Sequence, residues 1–339
     1  MTNIISQFQQ RLVSDIGKAL PPGSRVALVD YPNHPNVGDN AIWLGERNVL
    51  RALDVRCVYH TDKARYDRRA MAGLLGDGIV VIHGGGNFGD LWPTHQAFRE
   101  RVIADFPNNR IVQLPQSIHF DDLANAKRVR AIVKSHGAFK LFVRDDKSRI
   151  LTRDLLDIDS ELTPDAAFAL GVLTRPCAPT AKFIYLRRTD KEAAPLPRDV
   201  ANDPGCDEWD GIDWLEPSGI ERLLSGQGDR MSKLIQLGVP GQFLYSHYLD
   251  GLCRARLRRG LSLLSQGEVV ISDRLHAMIL SILAGIPFVA LDNRVGKLSN
   301  YIETWLAGYD RVRLVSTFAE ARSAASNLLS QPSESLPTS

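Results

Sequence analysis

Four short stretches gather the residue types that could do chemistry. "YPNHPNVGDNAI" (31–42) carries Asp39, and "VVIHGGGNFGDLW" (80–92) carries Gly84, Gly85, Gly86 and Asn87. "FVRDDKS" (142–148) carries Arg144, and "SDRLH" (272–276) carries Arg274 and His276. Arginine presents a planar fork of donors that matches carboxylate and phosphate. A glycine run lets backbone N–H groups approach an anion closely. Histidine moves protons near neutral pH. Together they predict a small, highly anionic ligand.

Each stretch follows an apolar run. "RVALVDY", "VRCVYH", "GIVVIHGGG", "RIVQLPQS" and "FKLFVRD" read as strands between the helical patterns "AIWLGERNVLRAL", "THQAFRERVIADF", "DDLANAKRVRAIVKSH" and "KSRILTRDLL". Continuous apolar strands alternating with helices predict a parallel sheet covered on both faces. "LTRPCAPTAK" (173–182) interrupts the pattern, after which "FIYLRR", "EVVISD" and "IPFVALD" resume it with the helix "RLHAMILSILAG". The expected architecture is α/β: two Rossmann-like doubly wound lobes, residues 1–175 and 180–330, facing a cleft. Residues 195–219 read as an irregular polar insertion, and the Ser/Pro-rich tail after 330 as disordered.

Gly84, Gly86 and Gly89 satisfy G-x-G-x-x-G, but the context of a dinucleotide site is absent. Such a site needs an acid at the end of the next strand for the ribose. That strand instead delivers Gln113 and Gln116, while Asp105 falls inside the preceding helix pattern, and "DLWP" delays the helix after the glycines. In "SDRLHAMILSILAGIP", Ser272 or Asp273 is the expected N-cap, with Arg274 and His276 in the first turn. Cations at a helix N-terminus oppose the macrodipole, so their presence there predicts an anion at that end. Asp39 or Asn40 reads equally as a helix cap or as a ligand residue. Arg187 and Arg188, which end "FIYLRR", read singly as surface cations.

Composition narrows the class. The 339 residues are 44% hydrophobic and 24% charged, with a net charge of +2, so no nucleic-acid footprint is expected. Cys57, Cys177, Cys206 and Cys253 show no metal or disulfide spacing and read as reduced, mostly buried thiols. No ligand cluster for a metal appears, and no cofactor is implied. The N-terminal segment has helical periodicity rather than a secretory pattern, and no apolar run spans a bilayer. The arginines in "LCRARLRRGLSLL" (252–264) read as a solvated face, with docking on anionic lipid as the alternative.

"NVGDNAI", "HGGGNFGDLW", "VRDDKS", "TPDAAFAL" and "SDRLHAMILSILAGIPFVAL" together resemble the polysaccharide pyruvyl transferase family, over about residues 25–300. The resemblance implies a GT-B-like fold and phosphoenolpyruvate as donor. Pyruvate would pass as a ketal onto two hydroxyls of a sugar in an exopolysaccharide or cell-wall glycan. By that resemblance His276 and Asp39 are the catalytic acid and base, while Arg144, Arg274, Gly84, Gly85, Gly86 and Asn87 bind the donor. With no ligand cluster in the sequence, no metal is expected to take part. A cytoplasmic location follows, with a lipid-linked acceptor as the reason for contact with the inner membrane. Residues 190–250 match none of the family's motifs, so they assign no acceptor site. A nucleotide-sugar glycosyltransferase and a non-catalytic glycan-binding protein remain as alternatives on the same architecture.

Overall fold

The computed structural model describes residues 2–193, 213–292 and 294–330. Chain order begins α1 (Thr2–Gly17), β1 (Arg25–Val29), α2 (Val37–Ala52), β2 (Arg56–Thr61), α3 (Arg68–Leu75), β3 (Ile79–Ile82) and β4 (Gly85–Gly89). It continues α4 (Pro93–Asp105), β5 (Ile111–His119), α5 (Leu123–His136), β6 (Phe139–Val143), α6 (Asp146–Leu151) and β7 (Ser160–Leu162). These strands form one parallel sheet in the order β2-β1-β3-β5-β6-β7, with β4 paired to β5. Successive residues of β1 enter opposite cores, Val26 and Leu28 on one face, Ala27 and Val29 on the other. That two-sided burial is why the strands are continuously apolar. The chain leaves β1 toward β2 on one side and returns to β3 on the other, which opens a crevice beyond their carboxyl ends.

The second sheet takes β8 (Ala181–Leu186), β9 (Gly267–Ser272), β10 (Phe288–Leu291) and β11 (Val312–Val315), all parallel, in the order β11-β10-β9-β8. Helices α7 (Gly219–Ser225), α8 (Gly228–Ser232) and α9 (Gly238–Ser265) precede β9; α10 (Leu275–Leu283), α11 (Lys297–Trp305) and α12 (Phe318–Ser330) follow. Strands are always added on the same side, so right-handed crossovers place α9, α10 and α11 on one face. Helix α12 covers the other, with Phe318, Ala321, Ala325 and Leu328 against Val269, Ile271 and Val289. One apolar cluster runs without interruption from Leu28 and Val81 of the first sheet to Val270 and Phe288 of the second.

Several local expectations are corrected. Helix α2 begins at Val37, not Ala41, because Asn36 is its N-cap and accepts the Gly38 N–H at 3.1 Å. Arg274 itself occupies the cap position of α10: Ser272 Oγ accepts the Arg274 N–H, and Asp273 accepts from the Arg188 backbone. The glycine run is not a bare turn but includes strand β4. The stretch 252–264 is not a solvated face throughout. Arg256 is buried against Pro32 O and Asn40 Oδ1, and Arg259 holds Glu221 and Pro35 O, leaving Arg254 and Arg258 exposed. Of the thiols, Cys253 is buried, Cys57 half-buried and Cys177 exposed. Cys206, residues 195–212 of the expected insertion and the tail after 330 lie outside the described residues. Among the described residues, no helix is long and apolar enough to cross a membrane.

Pro115 sits inside β5, where the missing N–H breaks the ladder. The register shifts between Gln113 and Gln116, and both amides turn to the end of β3. Gln113 and Gln116 each donate to the His83 carbonyl, at 2.8 and 3.1 Å. These are the glutamines that stand where a dinucleotide site would need an acid. They brace the glycine run.

Candidate active site

A cavity of 220 Å³ opens where the carboxyl ends of both sheets meet, and five of the eight predicted site residues line it: Asp39, Gly86, Asn87, Arg144 and His276. Asp39 comes from the first turn of α2, Gly86 and Asn87 from β4, Arg144 from the residue after β6, and His276 from the first turn of α10. The topology brings these distant stretches together because each follows a parallel strand at the same end.

His276 is the junction between the two sheets. Its Nε2 lies 3.3 Å from Asp165 Oδ2 and 3.4 Å from Arg144 Nη1. Arg144 is buried, donates to Asp165 Oδ2 at 2.6 Å and to Ser117 Oγ at 2.9 Å. Burial alone would raise the Asp165 carboxyl, but His276 and Arg144 together hold it far below the usual carboxylate range. Asp165 is therefore held as an anion between the Arg144 guanidinium and the His276 imidazole. Gly38 permits the arrangement, since a Cβ there would stand 2.5 Å from His276 Nδ1. Gly86 likewise admits two cations, with Lys297 Nζ 2.6 Å and Arg144 Nη2 2.9 Å from its would-be Cβ.

Helix α11 clamps this corner from the second half. Tyr301 OH accepts the Asp165 N–H at 3.1 Å, Trp305 donates to the Arg144 carbonyl at 2.8 Å, and Lys297 reaches into the cavity. Lys297 Nζ donates to Glu192 Oε1 at 2.6 Å and to Gly86 O at 3.1 Å. Burial pushes the Lys297 ammonium down, with Glu192 opposing. Burial pushes the Glu192 carboxyl up, but Lys297 and Arg188 outweigh it and bring it to about 2. Arg188, two residues beyond β8, pairs with Asp190 at 2.9 Å and with Glu192 at 3.2 Å, on the cavity wall.

The other wall belongs to the first sheet. Asp39 Oδ2 accepts from Asn36 at 2.8 Å and lies 3.6 Å from His34 Nε2. Burial would raise the Asp39 carboxyl, yet His34 and His276 hold it below its ordinary value. Asp30, buried and left-handed at φ 67°, follows β1 directly and accepts from His95 Nδ1 at 3.0 Å. Lys63 donates to His95 Nε2 at 3.1 Å, so the His95 hydrogen lies on Nδ1.

Three predicted residues lie off the wall. Gly84 gives its N–H to Glu46 at 2.7 Å, and Gly85 packs against Ile42 and Asp39. Arg274 is 2% exposed, with its guanidinium 2.6 Å from Asp213 and 3.6 Å from Asp190. Of these two acids, Asp190 lines the cavity. Asn87 reaches the cavity, but its N–H goes to Gln116 and its Oδ1 accepts from Arg99. The run shapes the wall, and the Gly84 and Asn87 amides are taken by protein side chains. Sequence reasoning missed Asp165, Lys297, Glu192, His34 and His95, and set Arg188 aside as a surface cation. Asp165 stands in "TPDAAFAL", so a motif signal existed; Lys297 had none.

Residues 36–294 match a family model described as polysaccharide pyruvyl transferase. The chain belongs to that family. Pyruvyl transferase 1 of Schizosaccharomyces pombe is 34% identical over 84% of this chain and 70% of its own. EpsO of Bacillus subtilis, provisionally named a pyruvyl transferase, is 30% identical over 91% of this chain and 93% of its own. A crystal structure of an uncharacterised Klebsiella pneumoniae protein, 18% identical, superposes with a TM-score of 0.57 over 94% of this chain and all of that one. The family match begins at the α2 cap and stops three residues before Lys297, so the α11 clamp lies outside it.

Proposed function

We propose that this family member transfers pyruvate from phosphoenolpyruvate, as a cyclic ketal, onto two hydroxyls of a sugar in an exopolysaccharide or cell-wall glycan. The observation that carries this reading is the cavity itself: Arg144, Arg188, Lys297 and His276 converge from both sheets on one small volume. Phosphoenolpyruvate carries a phosphate and a carboxylate on three carbons, which calls for several cations at short range. In this reading the sheets belong to two lobes, residues 1–175 and 180–330, in a GT-B-like arrangement. Phosphoenolpyruvate is a cytoplasmic metabolite, and the reaction takes place there. A lipid-linked glycan acceptor would bring Arg254 and Arg258 near an anionic membrane surface.

The chemistry follows from the donor. His276 protonates C3 of the enol, leaving an oxocarbenium-like centre at C2. One sugar hydroxyl adds to C2 and gives its proton to Asp39. The C2–O bond to phosphate then breaks, and the departing phosphate takes the proton held by Asp39, which restores the base. The second hydroxyl closes the ring on C2 and loses its proton, which restores the acid. Arg144, Lys297 and Arg188 neutralise the charge that gathers on phosphate and carboxylate. Arg274 acts through Asp190 and Asp213, whose positions it fixes.

The test is phosphate release from phosphoenolpyruvate with and without a glycan bearing a suitable diol. Acceptor-dependent release, slowed about 10²–10⁴-fold in His276→Gln, supports the reading. Turnover of a nucleotide sugar with none of phosphoenolpyruvate overturns it.

A further inference from the structure

Asp165 has its two oxygens doing different things. Oδ1 accepts the Ala167 N–H at 2.8 Å and starts the short 3-10 turn Ala166–Leu170. Oδ2 faces Arg144 Nη1 at 2.6 Å and His276 Nε2 at 3.3 Å. The turn cannot shift toward or away from the cavity easily: Gly45 of α2 packs so tightly on it that a Cβ would lie 1.9 Å from Ala166 O. Tyr301 holds the Asp165 amide from the other side. Asp165 therefore presents one fixed acceptor lone-pair site to the imidazole.

A carboxylate accepts and never donates. An imidazole nitrogen 3.3 Å from Oδ2 lowers its energy there by carrying a hydrogen, whereas a bare lone pair would face an anion. We infer that Asp165 is a positioning residue that holds His276 with its hydrogen on Nε2. This rests on the reading of His276 as the proton donor to phosphoenolpyruvate. The competing tautomer would have Nε2 bare and accepting from Arg144 Nη1, which is 3.4 Å away. Arg144 Nη1 has a second hydrogen beyond the one given to Asp165, but the guanidinium charge is delocalised while the carboxylate lies slightly nearer to Nε2, at 3.3 Å, and that favours the first arrangement.

Nδ1 abuts Gly38 in the first turn of α2. Asp165 stands between the Arg144 guanidinium and the imidazole. The charged groups around the imidazole come from every packed element: Asp39 and His34 from the β1–α2 segment, Arg144 after β6, and Asp165 before its 3-10 turn. Lys297 of α11 stands beyond Arg144, and Arg274 caps the helix that carries His276.

Nitrogen-15 NMR of histidine-labelled protein tests the assignment, with the His276 signals identified by their loss in His276→Gln. In the wild type the neutral ring should show a pyrrole-like Nε2 and a pyridine-like Nδ1; the reverse pattern overturns the inference whatever any variant does. In Asp165→Asn the tautomers should mix, the basic limb of the pH–rate profile should move about 1–3 units lower, and kcat should fall at least about 10²-fold. An Asp165→Asn protein that keeps the wild-type tautomer and pH profile also overturns it. The spectrum needs no substrate, so a failure of the phosphoenolpyruvate reading would leave the tautomer result standing and be seen separately.

Discussion

Gly38→Ala adds one methyl group to the first turn of α2, at the face of the proposed acid. The new Cβ would stand 2.5 Å from Nδ1, 2.7 Å from Cγ and 2.8 Å from Cβ of His276. Comfortable non-bonded separations are about 3.5–4.0 Å, so the ring has to move by roughly 1 Å. The helix backbone cannot yield, because α2 is buried along the same face through Ala41, Trp43 and Gly45. The side chain of His276 is 12% exposed and opens on the cavity, so it is the ring that swings. A displacement of that size breaks the contact with Asp165 and is expected to lower kcat about 10²-fold. Loss of stability should stay within about 1–3 kcal/mol, the usual range for an overpacked site. Gly73→Ala in α3 is the control: no heavy atom lies within 4 Å of its would-be Cβ, and the change should stabilise by about 0.5–1 kcal/mol with kcat unaltered. Steady-state kinetics and thermal unfolding of both variants make the comparison. A folded Gly38→Ala protein with wild-type kcat would refute the placement of His276 in the reaction.

Other perturbations reach the rest of the site. Arg274→Ala leaves Asp213 without its counter-charge, while Asp190 keeps Arg188, so stability should fall by about 3–5 kcal/mol in denaturant titration. Arg274→Lys should restore only part of that stability, because a compact ammonium cannot reproduce the reach of the guanidinium to both acids. Glu192 is held at about 2 when folded and lies near 4.3 when unfolded, so its stabilising effect is complete above about pH 4.3 and lost as pH falls toward 2. Glu192→Gln should therefore flatten the fall in melting temperature across that window; an unchanged slope would show that the Lys297 pair does not set it. Activity should survive exhaustive chelation, and complete loss restored by one specific metal would overturn metal-free transfer.

The sequence carried the class of the fold and several residues of the cavity wall. Apolar runs such as "GIVVIHGGG" and "FKLFVRD" mark buried parallel strands because both faces are covered, and that signal is local. The motifs at the strand ends named Asp39, Gly86, Asn87, Arg144 and His276, which the cavity joins. Short elements escaped it. Strand β7 is three half-buried residues with a serine and a glutamate, and neither alternation nor burial shows in so brief a run. What tertiary structure alone decided is which groups face each other. Nothing local distinguishes Arg188 on the wall from a surface cation, or marks Lys297, because their positions depend on α11 and β8 meeting a glycine run some two hundred residues away in Lys297's case. Arg274 and His276 are two positions apart, and the turn that starts α10 sends one onto Asp213 and the other into the cavity. Charge and spacing predict an anionic ligand. Only packing, with Gly38 and Gly86 as the positions where a side chain would not fit, determines which cations reach it.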